Sequence, residues 1–518
     1  MANIITRRAF MKAGLKATAV AGLASLTQIP PFLRQALAEG QIGISGKKVL
    51  FIFMRGGNDG VNNIIPIQDP AYAANRTVLG LPKDPMALYS ETTGTADIPA
   101  ANYPYAINLR NGFAALNPAM ADMVPLYNSR DLALIHRVAY RSQSRSHFDS
   151  EQYWEKGADG STGPKTHDGL WYRTIIESGW NKNHALSGVS IQSNMPASLR
   201  GAYPLTNLSS INRYNLLGVY NPSNTSTNAD RLKLLNAIDQ ANLQAYPAKD
   251  NRDMVFGLGT AFRDTLDIFQ DPAFATNEFY DSNGTTHLFP IGSSSDQRGL
   301  GNGAYGFFQS VKSAAQVLAN TDAIITGTEI GGFDTHTSQV TVGSPHLGGH
   351  ASLLRRVAWA FYALKQYFSN PAYNIKGKNM WNDVVIVTMS EFGRTSAENA
   401  SVGTDHAEAS VMYVAGGSVT GGVYGCDLNA KNGVANWTPS DGINLKSGSL
   451  FAANNSVGYL KRVVDYRSVV GEIIRDHLGA TQAQLNRIIP GYGIESTEHL
   501  LNGISSGSTP LIGELGLV

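Results

Sequence analysis

The chain has 518 residues, 43% of them hydrophobic, enough to bury a large core, and its 53 glycines are scattered among turns rather than held in a repeat, which excludes collagen-like and linker classes. Its 41 Lys and Arg against 40 Asp and Glu leave a net charge of +1 with no long basic run, so no nucleic-acid partner is expected. Cys426 stands alone, which rules out an intramolecular disulfide and any multi-cysteine zinc or iron-sulfur site and leaves it the role of a small apolar filler.

The first element is Thr6-Arg7-Arg8-Ala9-Phe10-Met11-Lys12, a twin arginine followed by a mildly apolar run from Ala13 to Leu26 and by Ala36-Leu37-Ala38, an A-x-A cleavage site before Glu39. Residues 1–38 therefore read as a twin-arginine signal peptide, with the translocase of that route as an expected partner. The domain from Glu39 to Val518 is expected in the periplasm or outside the cell. That route moves folded proteins, so a metal could be loaded before export. The apolar run is interrupted by Lys16 and falls short of the ~20 residues of a spanning helix. No other segment approaches that length without charges, so no integral membrane segment is expected in the mature form.

Short runs rich in β-branched and apolar residues predict buried strands of a mainly parallel sheet at Lys48 to Met54, Leu132 to Val138, Ala323 to Glu329, Val384 to Met389 and Val411 to Ala415. Between the third and fourth, Leu353, Leu354, Val357, Phe361, Leu364 and Phe368 recur at helical spacing and predict a helix from His350 to Phe368. Strand, helix, strand order argues for an α/β sheet with helices on both faces, one large domain over residues 39–518. The segment at about 195–301, rich in Asn, Ser and Tyr, reads as an inserted cap with amphipathic stretches at Ala229 to Ala245 and Met254 to Phe269, and Asn429 to Asn455 as a polar excursion. No internal repeat is present.

Ionisable residues gather just after the predicted strands, and in open α/β sheets ligands bind in the crevice at the carboxyl ends of strands. Asp334 and His336, two apart, point to one side of an extended segment and could share a metal, with His406 and Glu391 as further donors. Such a mixed carboxylate and imidazole set suits zinc, manganese or iron. A capping Asp and a surface His would be the plainer account of that pair. Ser144 and Ser146, among Arg141, Arg145 and His147, could supply a nucleophile with guanidinium groups clamping an anionic ester, or could cap the helix that follows. Asp59, in the turn Arg55-Gly56-Gly57-Asn58-Asp59-Gly60, is a candidate ligand or simply closes the turn, and the turn lacks the Lys-Ser/Thr ending of a phosphate loop. Arg394, Asp405 and Glu391 could instead form a structural ion-pair network.

Taken together, Arg55 to Gly60, Ser144 to Phe148, Gly332 to His336, Ser390 to Thr395 and Asp465 to Ser468 resemble the bacterial family called domain of unknown function 1501, whose members commonly begin with a twin-arginine signal. That family is similar in turn to the alkaline phosphatase and sulfatase superfamily. The resemblance implies an alkaline-phosphatase-like three-layer sandwich with a mainly parallel sheet and an inserted cap. It implies a metal site at Asp334, His336 and His406, with Glu391 and Asp59 near further ligand positions, Ser144 or Ser146 near the nucleophile position, and Arg145 or Arg394 to neutralise transition-state charge. Phe392 departs from the superfamily pattern, which places a histidine there, so one zinc or manganese ion, or a vestigial site, is expected rather than two. Two functions follow as expectations: a metal-dependent hydrolase of phosphate or sulfate esters on small molecules or polymers, or a non-catalytic binding or assembly module on a degenerate version of the fold.

Overall fold

In a computed structural model of the chain, Val49, Phe51 and Phe53 face one apolar layer while Leu50, Ile52 and Met54 face another, as a strand buried on both sides requires. The structure describes residues 42–518 except 92–93, 101, 162–167, 183, 185, 204, most of 210–277, 426–458, 461, 494–498 and 505–510. The signal sequence, Cys426, the polar excursion and most of the expected cap lie outside the described residues.

The strands are β1 (Lys48–Met54), β2 (Leu132–Ala139), β3 (Gly188–Ile191), β4 (Thr206–Leu208), β5 (Ile325–Ile330), β6 (Val384–Met389), β7 (Ser410–Ala415), β8 (Gly422–Tyr424), β9 (Val464–Asp465), β10 (Gly503–Ile504) and β11 (Leu511–Ile512). They form one 11-stranded sheet in the order β10-β11-β9-β2-β7-β6-β1-β5-β3-β4, with β8 beside β2. β1 runs parallel to both neighbours, Phe51 lying opposite Gly327 of β5 and Val387 of β6. A small antiparallel sheet joins Ile64–Ile65, Ala115–Leu116 and Ile107–Asn108.

Helices cover both faces of the large sheet. Trp154 of α1 (His147–Lys156) and Trp171 of α2 (Leu170–Ser178) pack on the Val49 and Phe51 side. Phe308 of α3 (Asn302–Asn320) and Leu354, Val357, Phe361 and Leu364 of α4 (Gly349–Ser369) pack on the Leu50 and Ile52 side. The stripe that predicts α4 is thus the stripe it buries, and the helix extends one residue beyond the expected bounds at each end. No described helix is long and apolar enough to cross a membrane.

The expectation that Val411 to Ala415 runs with the parallel strands is corrected: β7 is antiparallel to both β6 and β2. Residues 390–409 contain no helix, and a parallel return would need a crossover. The connection folds back on itself instead, with Gly393 N–H on the Glu408 carbonyl (2.8 Å), Ala407 N–H on the Gly393 carbonyl (2.9 Å) and Arg394 bridged to His406. Because β7 enters where β1, β5 and β6 leave, residues before β7 meet residues after those strands at one edge of the sheet.

Candidate metal centre

Four loops reach that edge. Asp334 and His336 follow β5, Glu391 and Arg394 follow β6, His406 precedes β7, and His147 opens α1 after β2. Ser146 is the N-cap of α1, its hydroxyl accepting from Asp149 N–H at 3.4 Å, and this seats His147 in the first turn.

Each of three imidazoles has its Nδ1 held from behind. His406 Nδ1 lies 2.9 Å from the Arg145 carbonyl, which can only accept, so Nδ1 carries a proton, which in the neutral ring leaves Nε2 a lone pair. His147 Nδ1 is 2.8 Å from Glu391 Oε1, and His336 Nδ1 is 3.1 Å from Asp405 Oδ1. The three Nε2 atoms turn inward: His406 Nε2 stands 3.1 Å from that of His147 and 2.9 Å from that of His336. Asp334 Oδ1 is 3.1 Å from His336 Nε2 and 3.2 Å from His406 Nε2, and Oδ2 is 3.6 Å from His147 Nε2. His147, Asp334 and His406 each offer a ligand atom within 4.8 Å of the others. Tetrahedral ligands ~2.0–2.1 Å from one zinc-sized ion stand about 3.3–3.4 Å apart, near the 3.1, 3.2 and 3.6 Å that separate the inward atoms of His147, His406 and Asp334. Lone pairs facing a carboxylate at that spacing are stabilised by a positive charge among them, a shared proton or a metal ion, and the donor types are those of a divalent-cation site. Backing acceptors of this kind fix the tautomer and orientation of metal-ligating histidines.

The ionisation preferences agree with a crowded donor set. The hydrogen bond that His147 donates to Glu391 pushes the His147 pKa up, whereas burial, reinforced by the Arg394 and His147 charges, pulls that of His406 down. Burial alone would raise the Asp334 pKa, but the hydrogen bond and charge of Arg394 hold it below the usual carboxylate range. Asp405 is likewise lowered, its burial outweighed by His336 and Asn399. Side-chain exposure is 47% for Asp334 and 41% for His336 against 29% for His147 and 26% for His406, so the Asp334 and His336 side is the one open to solvent.

Several candidates take other places. Glu391 is fully buried and accepts from Gly56 N–H (2.7 Å) as well as from His147, so it orients a ligand rather than facing the centre. Asp59 is also fully buried, with its two oxygens on Arg76 at 2.5 and 2.9 Å and one of them on Gln339 Nε2 at 2.6 Å, an ion pair apart from the imidazoles. Arg394 is buried and grips Asp334 Oδ1 together with the carbonyls of Gly56, Gly57 (2.7 Å) and Thr404 (3.0 Å), so it positions the carboxylate and ties the loops. Among the described residues no ion pair joins Arg394 to Asp405 or Glu391, whose partners are instead Asp334, His336 and His147, so the alternative of a network among the three is not seen there. Ser144 Oγ accepts from Ser146 N–H at 3.2 Å, and the Arg145 guanidinium lies 4.5 Å above the Tyr459 ring.

Phe392, fully buried, floors the centre, its ring centroid 4.7 Å from those of both His147 and His406. The glycine turn after β1 makes this approach possible. A Cβ at Gly57 (φ +74°) would stand 2.3 Å from the Phe392 ring, and one at Gly56 (φ +118°) would stand 2.3 Å from Asp334 N. Among residues at the centre, His147 and Asp405 were not expected as its parts. The signal for His147 was its place in the first turn of a helix that follows a strand, but the nearby serines and arginines drew the chemistry elsewhere.

A family-level comparison matches residues 46–434 to the family described as "Protein of unknown function (DUF1501)". No curated protein and no solved structure matches the chain.

Proposed function

Taking as premise that the chain belongs to the DUF1501 family, we propose that it is an exported metal-dependent hydrolase of phosphate or sulfate esters, built on an alkaline-phosphatase-like fold. The observation that carries this reading is that His147 and His406 each turn Nε2 towards the Asp334 carboxylate on the solvent-open edge of the sheet, with His336 Nε2 beside those of His406 and Asp334. His147, His336, His406 and Asp334 would hold one divalent ion, zinc or manganese by their donor chemistry. Such an ion, when bound, polarises an ester oxygen and makes water a stronger nucleophile near neutral pH.

The chain's own groups do the positioning. Glu391, Asp405 and the Arg145 carbonyl keep Nδ1 protonated and Nε2 available on each ring. Arg394 fixes the Asp334 carboxylate, and the exposed Asp334 and His336 side admits an ester from a small molecule or polymer. Water is the attacking group in this reading, since Ser146 serves as a helix cap and Ser144 as an acceptor within its own loop. Export by the twin-arginine route, from the Arg7-Arg8 signal, places this chemistry in the periplasm or outside the cell.

The commitment of both serines also favours a second reading, a binding or assembly module that keeps the metal for structure or for holding an anionic ligand. Elemental mass spectrometry on protein purified after export, beside a His336→Ala, His406→Ala double variant, tests the first step. A transition metal retained by the parent and lost in the folded variant supports the centre, and turnover of aryl phosphate or sulfate esters then selects the hydrolase. Metal without turnover of either ester class selects the module, and no metal in either protein refutes both uses of it.

A further inference from the structure

Gln339 lies just beyond His336 in the chain, fully buried, with every polar atom engaged. Its Nε2 donates to Asp59 Oδ2 (2.6 Å), and its Oε1 accepts from the hydroxyls of both Thr335 (3.0 Å) and Thr404 (2.8 Å), which fills the two lone pairs of an amide oxygen. The Asp59 carboxylate only accepts, so it fixes which end of the amide faces the threonines. On the main chain Gln339 N–H donates to the Val402 carbonyl (2.8 Å), and His350 N–H donates to the Gln339 carbonyl (3.1 Å).

The two threonines sit in the segments that carry the imidazoles of the centre. In the extended run Asp334-Thr335-His336 alternate residues point opposite ways, Asp334 and His336 to the solvent-open side and Thr335 into the interior. Thr404 is fully buried and precedes the exposed Asp405 and His406. Thr404 N–H bonds the Thr335 carbonyl (3.1 Å), and a Cβ at Gly403 would stand 2.2 Å from the His336 carbonyl oxygen, so the segments touch along their backbones. Arg394 joins the same two segments through Asp334 Oδ1 and the Thr404 carbonyl (3.0 Å). Donors carried on loops keep a metal geometry only where buried contacts of this kind lock the chain beneath them.

We propose that Gln339 is a positioning residue of the centre: its side-chain oxygen staples Thr335 to Thr404 and so sets His336 Nε2 against His406 Nε2, 2.9 Å apart. This rests on the reading of the centre as a metal site. Gln339 touches neither imidazole and acts through the backbones that bear them, so its loss misplaces donors without removing one.

The test is cobalt(II) titrated into chelator-treated full-length mature protein and read by visible absorption, which is strong for four-coordinate cobalt and weak for six-coordinate. Gln339→Met keeps the bulk and removes the amide, whereas Thr335→Val with Thr404→Val removes the two hydroxyls and keeps Gln339. Leu485→Ala, a fully buried side chain beside the carboxyl end of α2, controls for lost stability. The expected result is cobalt affinity about 10–100-fold weaker in the first two variants, with an altered absorption band, and the parent's affinity and band in Leu485→Ala. A parent-like affinity and band in Gln339→Met would overturn the positioning role while leaving the metal centre standing, and the double valine variant gives the same decision where Gln339→Met fails to fold. An equal loss in Leu485→Ala would also overturn it, by reducing the effect to lost stability. No cobalt bound by the folded parent would overturn the metal centre itself and the proposal with it.

Discussion

Replacing Asp59 by Asn separates its two candidate roles. In the structure Asp59 and Arg76 are both fully buried, and the carboxylate takes two guanidinium hydrogen bonds at 2.5 and 2.9 Å. Arg76 otherwise has the carbonyls of Ser396 (2.7 Å) and Thr395 (2.8 Å), which carry no countercharge. Breaking a buried pair from one side costs ~3–5 kcal/mol because the remaining charge is left uncompensated. Unfolding entropy of ~2.1 cal/mol/K per residue over about 480 residues comes to roughly 1 kcal/mol/K, so the melting temperature should fall by about 3–5 °C. Calorimetry on chelator-treated protein gives that number without the stabilisation that a bound ion adds. Zinc titration of the same sample should then show unchanged stoichiometry. A variant that melts with the parent but loses its zinc would refute the ion-pair assignment and return Asp59 to the ligand set.

Ser146→Ala should cost about 1 kcal/mol through loss of the α1 cap and leave zinc binding and ester turnover in place; abolished turnover with zinc still bound would make Ser146 the nucleophile. Gly57→Ala puts a Cβ into the Phe392 ring at a left-handed backbone position, so stability should fall by ~1–3 kcal/mol and zinc affinity with it, and an unchanged zinc isotherm would contradict the tight floor under His147 and His406. Burial lowers the pKa of His136 to about 3 and those of His350 and His477 to about 4, from an ordinary 6.5. The unfolded chain therefore binds more protons than the folded one below pH 6.5, so their contribution is fully present above that pH and is lost as pH falls towards 4 and below, with a slope of up to about 4 kcal/mol per pH unit for three protons. Urea midpoints at pH 7 and pH 5 check this, and equal midpoints would count against it. Arg7→Lys with Arg8→Lys should leave the uncleaved precursor in the cytoplasm; normal cleavage and export would remove the twin-arginine assignment.

The strands and the long helix were legible locally because their signals are periodic: alternate residues of Lys48 to Met54 enter opposite layers, and the stripe from Leu353 to Phe368 needs only helical geometry to become a face. The Asp334 and His336 pair was legible for the same reason, as two residues on one side of an extended segment. His406 is a further donor on residue type and its place in the metal site follows only from the family resemblance, while the direction of the strand after it is not legible in the sequence.

What only the tertiary structure decided is which side chains meet. Whether Glu391 binds an ion or backs His147 depends on pairings separated by hundreds of residues, such as Gly56 with Glu391 and Arg145 with His406, and whether Asp59 faces the centre or Arg76 depends on how its turn packs against Arg76 and the distant Gln339. A carboxylate has the same chemistry in both roles, so residue type and spacing cannot distinguish them. The neighbours that do are set by the order of strands in the sheet and by the antiparallel return of β7, which brings the loop before it to the edge where β1, β5 and β6 end.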